Sequence, residues 1–207
     1  MIWEGTKMRR VVLLALLALA LPMAAWADGI DLINQYGSIS ASNAGISSTQ
    51  SQLKGFNGIH APAGHSLGSV SFTTGALLSG SLAAGGTFSA TGSSFLVTGN
   101  GKYGVPKGTI FSGSFVGPIS WVLVSGSGHK TLTYSLTGAI QGMLYTGRMV
   151  TGTTTQTIYS TAGQLAQGIG HIRGGDTHLT APEPGTLGLL GTGLVGIAGM
   201  FRRKKTV

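Results

Sequence analysis

Five histidines are the candidates for metal binding or proton transfer: His60, His65, His129, His171 and His178. Asp176 and His178 are two positions apart, so both side chains would project from one face of a strand. With His171 they could form a cation site of imidazole and carboxylate ligands. Alternatively, residues 174–177 form a turn in which the Asp176 carboxylate accepts hydrogen bonds from backbone N–H groups. We favour the turn, which leaves the three residues as weak metal candidates and assigns no metal and no other cofactor.

Nucleophilic and carboxylate chemistry receive less support. Serine is abundant, but none lies in a Gly-x-Ser-x-Gly elbow between a strand and a helix. Glycoside hydrolysis needs two carboxylates on opposite sides of a cleft. The body of the chain has three acidic residues, and two of them, Asp28 and Asp31, lie together at its start. We therefore expect a protein with no catalytic residues rather than an enzyme.

Four tyrosines and one tryptophan could stack against sugar rings: Tyr103, Trp121, Tyr134, Tyr145 and Tyr159. Trp121 lies in a dense apolar run and is predicted to be a core residue. Tyr103 lies in a stretch rich in Gly and Lys that predicts an exposed loop, which makes it the better ligand-binding candidate. The preceding Gly99-Asn100-Gly101-Lys102 is not followed by the helix that a phosphate-binding loop requires.

Composition limits the class of protein. Of 207 residues, 36 are glycine, 9% are charged and none is cysteine. Low charge with many Ser and Thr residues is unlike a highly charged disordered chain, and the lack of thiols excludes cysteine catalysis and Cys-based zinc sites. Much of the net charge of +8 comes from the two ends of the chain, and the six cations of the body are scattered. A nucleic-acid partner, which needs clustered Lys and Arg, is not indicated.

The body, residues 28–180, is predicted to be all-β. Ile119, Trp121 and Leu123 alternate with residues of the opposite face, as in a half-buried strand. Similar runs recur about every 8–12 residues and predict a single antiparallel β-sandwich or barrel of about 8–10 short strands. Residues 164–167 predict a helical turn. A β-solenoid is the alternative architecture, but the runs have no fixed period.

Residues 1–27 have the organisation of a secretory signal peptide. A basic segment, an unbroken apolar run over residues 11–21 and a proline follow one another. Ala25 and Ala27 supply the small side chains that signal peptidase requires, so cleavage would make Asp28 the new N-terminus. The alternative is an uncleaved N-terminal anchor, for which the apolar run is short.

The C-terminal residues 181–207 contain three consecutive parts. The triplet Pro182-Glu183-Pro184 precedes an apolar run over residues 185–201, which is about the shortest length that crosses the hydrocarbon core as a helix. A basic cluster ends the tail: Arg202, Arg203, Lys204 and Lys205. Adjacent cations resist translocation and would stay cytoplasmic. The tail therefore predicts a transmembrane helix that holds the body outside the inner membrane, at least in transit.

The triplet, the Gly/Leu-rich span and the terminal Arg/Lys cluster, in this order, resemble the PEP-CTERM sorting signal of Gram-negative bacteria. The resemblance covers only the tail, and the body is not recognised. It implies that an exosortase, a membrane protease or transpeptidase, recognises and removes the tail, with Glu183 as the recognition element. It also implies an association with exopolysaccharide, as in a biofilm. The alternative is a permanent anchor in which Gly188, Thr192 and Gly196 pack against a second helix.

Together these features predict an exported, non-enzymatic β-protein of the cell surface or extracellular matrix. The expected partners are signal peptidase, an exosortase-like enzyme and exopolysaccharide. A carbohydrate-binding module that uses Tyr103 is the second interpretation. A small metal-assisted hydrolase that uses His171, Asp176 and His178 is the third.

Overall fold

The computed structural model describes residues 29–127 and 131–181, and these contain 13 β-strands and one short helix. The first strands are β1 (Gly29–Gln35), β2 (Ser38–Ser42), β3 (Gly45–Thr49), β4 (Ser51–Phe56), β5 (Ile59–His60) and β6 (Gly68–Thr73). The next are β7 (Leu77–Ser81), β8 (Gly85–Phe88), β9 (Ser94–Asn100) and β10 (Lys107–Ser127). The last elements are β11 (Thr131–Leu144), β12 (Met149–Ser160), helix α1 (Ala162–Ala166) and β13 (Ile169–Thr180). The prediction of an all-β body is confirmed.

Eight of these strands close into an antiparallel barrel. The ring runs in the order β1, β4, β6, β9, β10, β11, β12 and β13, and β13 pairs again with β1. Neighbours in the ring follow one another along the chain, an up-and-down arrangement that leaves no open edge within the ring. Eight strands make a ring just wide enough for side chains to fill its interior. The sequence left both a sandwich and a barrel open, and the structure is a barrel.

The chain turns through left-handed backbone at two junctions, between β1 and β2 and between β3 and β4. β1 and β2 pair with successive parts of β13, and the chain turns between them at Tyr36 and Gly37, with φ of 63° and 94°. A Cβ at position 37 would lie 2.6 Å from the backbone nitrogen of Ser51, so only glycine fits there. β3 and β4 are bent similarly at Gln50, where φ is 59°. The first bend presents Tyr36 to solvent, with 58% of the residue exposed.

The strands at the C-terminal side of the ring are longer than the sequence predicts. β10 is unbroken for 21 residues and β11 for 14 residues, whereas Gly117 and Gly138 predict a break in each and therefore two short strands. Gly117, with φ of 76°, lies instead at a register shift between Val116 and Ser120, and a Cβ on Gly138 would lie 2.6 Å from Phe115 Cδ1. Here glycine permits an irregularity in the ladder and the close approach of a ring, rather than a turn that ends the strand. The expectation of uniformly short strands is therefore wrong for these elements.

Aromatic rings fill the barrel interior beside β6, β9, β10 and β11. They are at most 3% exposed: Phe72, Phe95, Phe111, Phe115, Trp121 and Tyr134. The Trp121 and Tyr134 rings stack in parallel, with centroids 4.4 Å apart. Trp121 is thus a core residue, as predicted, and Tyr134 cannot belong to an exposed sugar platform.

The β7–β8 hairpin lies outside the ring and pairs with β10 through β8. The stacked rings hold its turn. The Trp121 indole Nε1–H donates to the Leu82 carbonyl oxygen at 2.9 Å, and the Tyr134 hydroxyl donates to the Ala83 carbonyl oxygen at 2.8 Å. Burial raises the pKa of the Tyr134 hydroxyl above 10.0, the usual value for tyrosine. The hairpin is therefore anchored through the polar atoms of two core residues.

Helix α1 joins β12 to β13 and lies close to the helical turn that the sequence predicts. Thr161 is its N-cap, and Gln164 completes a capping box with it. Within residues 29–127 and 131–181, no helix is both long and apolar enough to cross a membrane. The predicted signal peptide at residues 1–27 and the predicted span at residues 185–201 lie outside the described residues.

Candidate functional site

Tyr103 lies in the loop between β9 and β10 and is 44% exposed. The loop is closed by two backbone N–H donors: Lys102 donates to the Asn100 side-chain oxygen at 2.9 Å, and Val105 to the Lys102 carbonyl oxygen at 3.1 Å. Val105 is buried and fixes the loop on the barrel. The loop therefore presents Tyr103 to solvent from an anchored position.

The His65 ring lies beside the Tyr103 ring. Their centroids are 6.3 Å apart and the planes meet at 63°, an edge-to-face contact. His65 belongs to the exposed loop between β5 and β6, and its carbonyl oxygen accepts a hydrogen bond from the Lys54 ammonium. The loop before β6 is thus in contact with the loop after β9, the strand that pairs with β6, through exposed rings.

Lys54 extends this arrangement to Tyr36. Its Nζ lies 5.1 Å from the centroid of the Tyr36 ring, in cation–π geometry. We refer to Tyr36, Lys54, His65 and Tyr103 as the tyrosine–lysine row. Sequence reasoning identified Tyr103 as a ligand candidate but not Tyr36 or Lys54, because separate segments of the chain meet here only when the barrel closes. A Tyr-Gly pair that marks a turn is the signal that could have pointed to Tyr36.

Outward polar side chains flank the row. In the strand register, Gln52 pairs with Ser69, Ser69 with Thr98, and Thr98 with Thr109, so these residues form a line across four strands. The Ser69 and Thr98 hydroxyls are 2.7 Å apart. Gln52 lies two positions from Lys54, on the same face of β4. Aromatic faces, a cation and a line of hydroxyl and amide groups therefore occur together on one outer wall of the barrel.

The three weak metal candidates do not form a site. All three lie on β13, which is continuous from Ile169 to Thr180. The prediction of a turn at residues 174–177 is therefore wrong as well. Asp176 and His178 share the outer face, as predicted, but His171 is about 16 Å from Asp176 along the strand. Among residues 29–127 and 131–181, no group of three or more His, Cys, Asp or Glu side chains is placed to hold a metal.

His178 pairs instead with Asp31 on the neighbouring strand. The two residues are opposite each other in the β1–β13 register, and His178 Nδ1 lies 2.5 Å from Asp31 Oδ1. Both side chains are exposed, so the pair contributes little to stability. Its position links the first strand of the ring to the last.

One serine has neighbours that match the letters of a nucleophile elbow. Gly64-His65-Ser66-Leu67-Gly68 fits Gly-x-Ser-x-Gly, but the segment leads into strand β6 and not into a helix. An elbow needs the sharp turn between a strand and a helix. Ser66 therefore lacks the geometry of such a nucleophile.

A buried polar network lies inside the barrel beside β1, β4, β12 and β13. Its members are at most 1% exposed: Asn34, Ser51, Thr154, Gln156 and Thr177. The Asn34 and Gln156 side chains exchange two amide hydrogen bonds of 2.9 and 3.2 Å. Asn34 also donates to the Ser51 hydroxyl, and Gln156 to the Thr154 hydroxyl. In the described part of the chain, no buried side-chain N or O atom lacks a partner, so this network is complete without a ligand.

The residues assigned to sorting and cleavage lie outside the described residues: Ala25, Ala27, Asp28, Pro182, Glu183, Pro184, Arg202, Arg203, Lys204 and Lys205. The last strand of the barrel ends at Thr180, two residues before the Pro-Glu-Pro triplet. The family model of the PEP-CTERM protein-sorting motif matches residues 180–204. The tail is a PEP-CTERM sorting motif. No curated protein and no solved structure was found to match the chain.

A PEP-CTERM motif is typical of an exported protein that carries a C-terminal signal for an exosortase-like enzyme. The resemblance inferred from the tail is thereby confirmed. The match begins at Thr180, the last residue of β13, so the PEP-CTERM segment follows the barrel directly. It covers the tail and gives no family for the barrel.

Proposed function

We propose that the chain is an exported, non-enzymatic β-barrel protein that an exosortase-like enzyme delivers to the cell surface or extracellular matrix of a Gram-negative bacterium. The main support is the PEP-CTERM match at residues 180–204. Signal peptidase would cleave after Ala27, and the tail cations would keep the C-terminus cytoplasmic until the tail is processed. The mature barrel would act through its outer surface, because side chains fill its interior.

Replacement of Glu183 tests the sorting step. In Glu183→Ala we expect full-length precursor to accumulate in the membrane, because this carboxylate between two prolines is the proposed recognition element. Intact-mass spectrometry of the protein from its native host measures both mature ends. Asp176→Ala is the matched control, since it removes an acidic side chain from β13 and leaves the tail unchanged. Normal maturation of Glu183→Ala would contradict the recognition role, and an uncleaved wild-type tail would favour a permanent anchor.

A second candidate function is the binding of exopolysaccharide. It is supported by the tyrosine–lysine row, where two exposed tyrosine rings, a lysine and a histidine adjoin a line of hydroxyl groups. On a glycan array we expect Tyr103→Ala to lose binding that the wild-type chain shows. Tyr145→Ala is the control, because Tyr145 is an exposed tyrosine in the β11–β12 turn, outside the row. Equal loss in both variants would argue against a site at the row.

A further inference from the structure

We propose that the tyrosine–lysine row recognises an acidic polysaccharide, whose sugar rings carry carboxylates, in preference to a neutral one. The inference rests on the second candidate function and specifies its ligand class. Stacking on tyrosine selects for the apolar face of a sugar ring but does not distinguish a neutral sugar from an acidic one. That distinction must come from the charges around the rings.

The charges of the described barrel are unevenly distributed. Lys54 is a member of the row, Lys102 is adjacent to Tyr103, and Lys107 begins β10 at the other end of the same loop. The two acidic residues within 29–127 and 131–181 are Asp31 on β1, which pairs with β4, and Asp176 on β13; neither belongs to the row, and Asp31 is paired with His178. Three cations thus belong to the row or to the loop of Tyr103 and its end, and the acidic residue on the neighbouring strand, Asp31, is paired with His178.

Lys54 has a position suited to a carboxylate. Its ammonium lies 5.1 Å from the Tyr36 ring centroid and donates to the carbonyl of His65, whose ring contacts Tyr103. An ammonium has three N–H donors, and the structure shows one of them in a hydrogen bond with protein. We infer that a carboxylate of a polysaccharide bound along the row accepts from the remaining donors. The contact would be a charge-assisted hydrogen bond, which is stronger than a neutral one.

The flanking side chains favour a polysaccharide over an anionic lipid surface. The line formed by Gln52, Ser69, Thr98 and Thr109 presents hydroxyl and amide groups across four strands. Such groups can both donate to and accept from sugar hydroxyls, whereas a lipid surface would favour apolar side chains between the cations. The row also draws on segments before β2, in β4, before β6 and after β9, an extended layout that suits a polymer of several sugars.

Binding of two forms of one polymer tests the proposal. The probes are polygalacturonate and its methyl ester, which has the same sugars without the charge. With the full chain in detergent, we expect the acid form to bind about tenfold more tightly than the ester at low salt. The preference should shrink as the ionic strength rises to about 0.5 M, because surface charges are then screened.

Two kinds of variant separate the contribution of tyrosine stacking to binding from the contribution of the lysine charges. Tyr103→Ala should weaken binding of both forms by about tenfold and leave their ratio unchanged. The triple variant Lys54→Gln, Lys102→Gln, Lys107→Gln should reduce the ratio to about 1 and leave binding of the ester unchanged. The matched controls are Tyr145→Ala and Arg173→Gln, an exposed tyrosine and an exposed arginine outside the row. A further variant with Gln at positions 202–205 measures how much the basic tail contributes.

The outcomes distinguish this inference from the function on which it rests. Equal binding of acid and ester, lost in Tyr103→Ala, would overturn the preference for acid and leave glycan binding intact. If the chain bound neither the acid form nor the ester, both the preference for acid and the glycan-binding function would be contradicted. If the chain bound anionic phospholipid vesicles but neither polymer, and only the lysine variant lost that binding, the surface would be lipid-directed and the proposal would be wrong.

Discussion

The two sides of the barrel interior are built from different chemistry. Beside β9, β10 and β11, rings such as Phe95, Trp121 and Tyr134 are packed together. Beside β1, β12 and β13, Asn34 and Gln156 exchange amide hydrogen bonds. Burial of apolar area is non-directional and its contribution scales with the area removed from water. A buried amide contributes only while its partners are in place, and it costs free energy when they are removed.

This difference predicts how each side fails. The aromatic side should lose stability in proportion to the volume removed, because the remaining rings keep their contacts. The amide side should be sensitive to small displacements, since one misplaced side chain leaves several donors and acceptors unpaired. Substitutions on the two sides therefore test whether burial or hydrogen bonding dominates in each.

The largest loss is expected for Trp121→Ala. It removes the ring stacked on Tyr134 and the indole donor to the Leu82 carbonyl oxygen. We expect the free energy of unfolding to fall by about 3–5 kcal/mol, measured by urea denaturation. Trp121→Phe is the control, because it keeps an aromatic ring and deletes the donor, so its loss should be clearly smaller. A loss below about 1 kcal/mol for Trp121→Ala would show that the aromatic side is not packed as described.

An intermediate loss is expected from one methyl group on the amide side. In Gly175→Ala the new Cβ would lie 2.1 Å from Gln156 Oε1 and 2.3 Å from Asn34 Oδ1, so both amides must move. We expect the free energy of unfolding to fall by about 2 kcal/mol or more.

The adjacent glycine supplies a matched control for this substitution. Nothing lies within 4 Å of a Cβ on Gly174. Gly174→Ala should therefore change the free energy of unfolding by about 0.5 kcal/mol or less. If the two variants were equally stable, the amide network could not be rigid.

The aromatic side could be predicted from the sequence and the amide side could not. Ile119 and Trp121 alternate with outward residues and are buried, as their period of two predicts. Leu123, predicted on the same face, is 37% exposed, so the pattern identifies the buried face only as far as Trp121. In β12, by contrast, buried Thr154 and Gln156 alternate with exposed threonines, so both faces have polar residues and no period appears. The network depends on Asn34, which is 122 positions from Gln156. No local pattern can report such a contact.

The same limit applies to the surface. The tail was identified from composition and order within about 27 consecutive residues, because sorting signals are linear. Tyr103 was identified as exposed from its loop composition, but its contact with His65 depends on the pairing of β6 with β9, which brings the loop before β6 to the loop after β9. Glycines gave the wrong division of strands, since β10 continues through Gly117 and β11 through Gly138, where a Cβ would lie 2.6 Å from Phe115 Cδ1. Sequence reasoning therefore performs best where function is linear and worst where separate strands form a site.

The smallest and most specific effect is expected for Tyr134→Phe. Tyr134 combines a buried, stacked ring with a hydrogen bond, and the substitution removes only the hydrogen bond. The substitution keeps the ring stacked on Trp121 but removes the hydroxyl that donates to the Ala83 carbonyl oxygen. At neutral pH we expect a loss of about 1 kcal/mol in the free energy of unfolding.

This loss should depend on pH. Because burial raises the folded-state pKa of the Tyr134 hydroxyl above 10.0, the extra stability of the wild type over the variant is fully present below that pH. Above it the unfolded state loses its proton first, so wild-type stability falls as the pH approaches the folded-state pKa. In urea denaturation, the difference in free energy of unfolding between wild type and variant should therefore be smaller at about pH 10.5 than at about pH 7. Tyr145→Phe, at an exposed tyrosine, serves as the control, and a difference for Tyr134→Phe that stays constant with pH would show that the hydroxyl is not desolvated in the folded barrel.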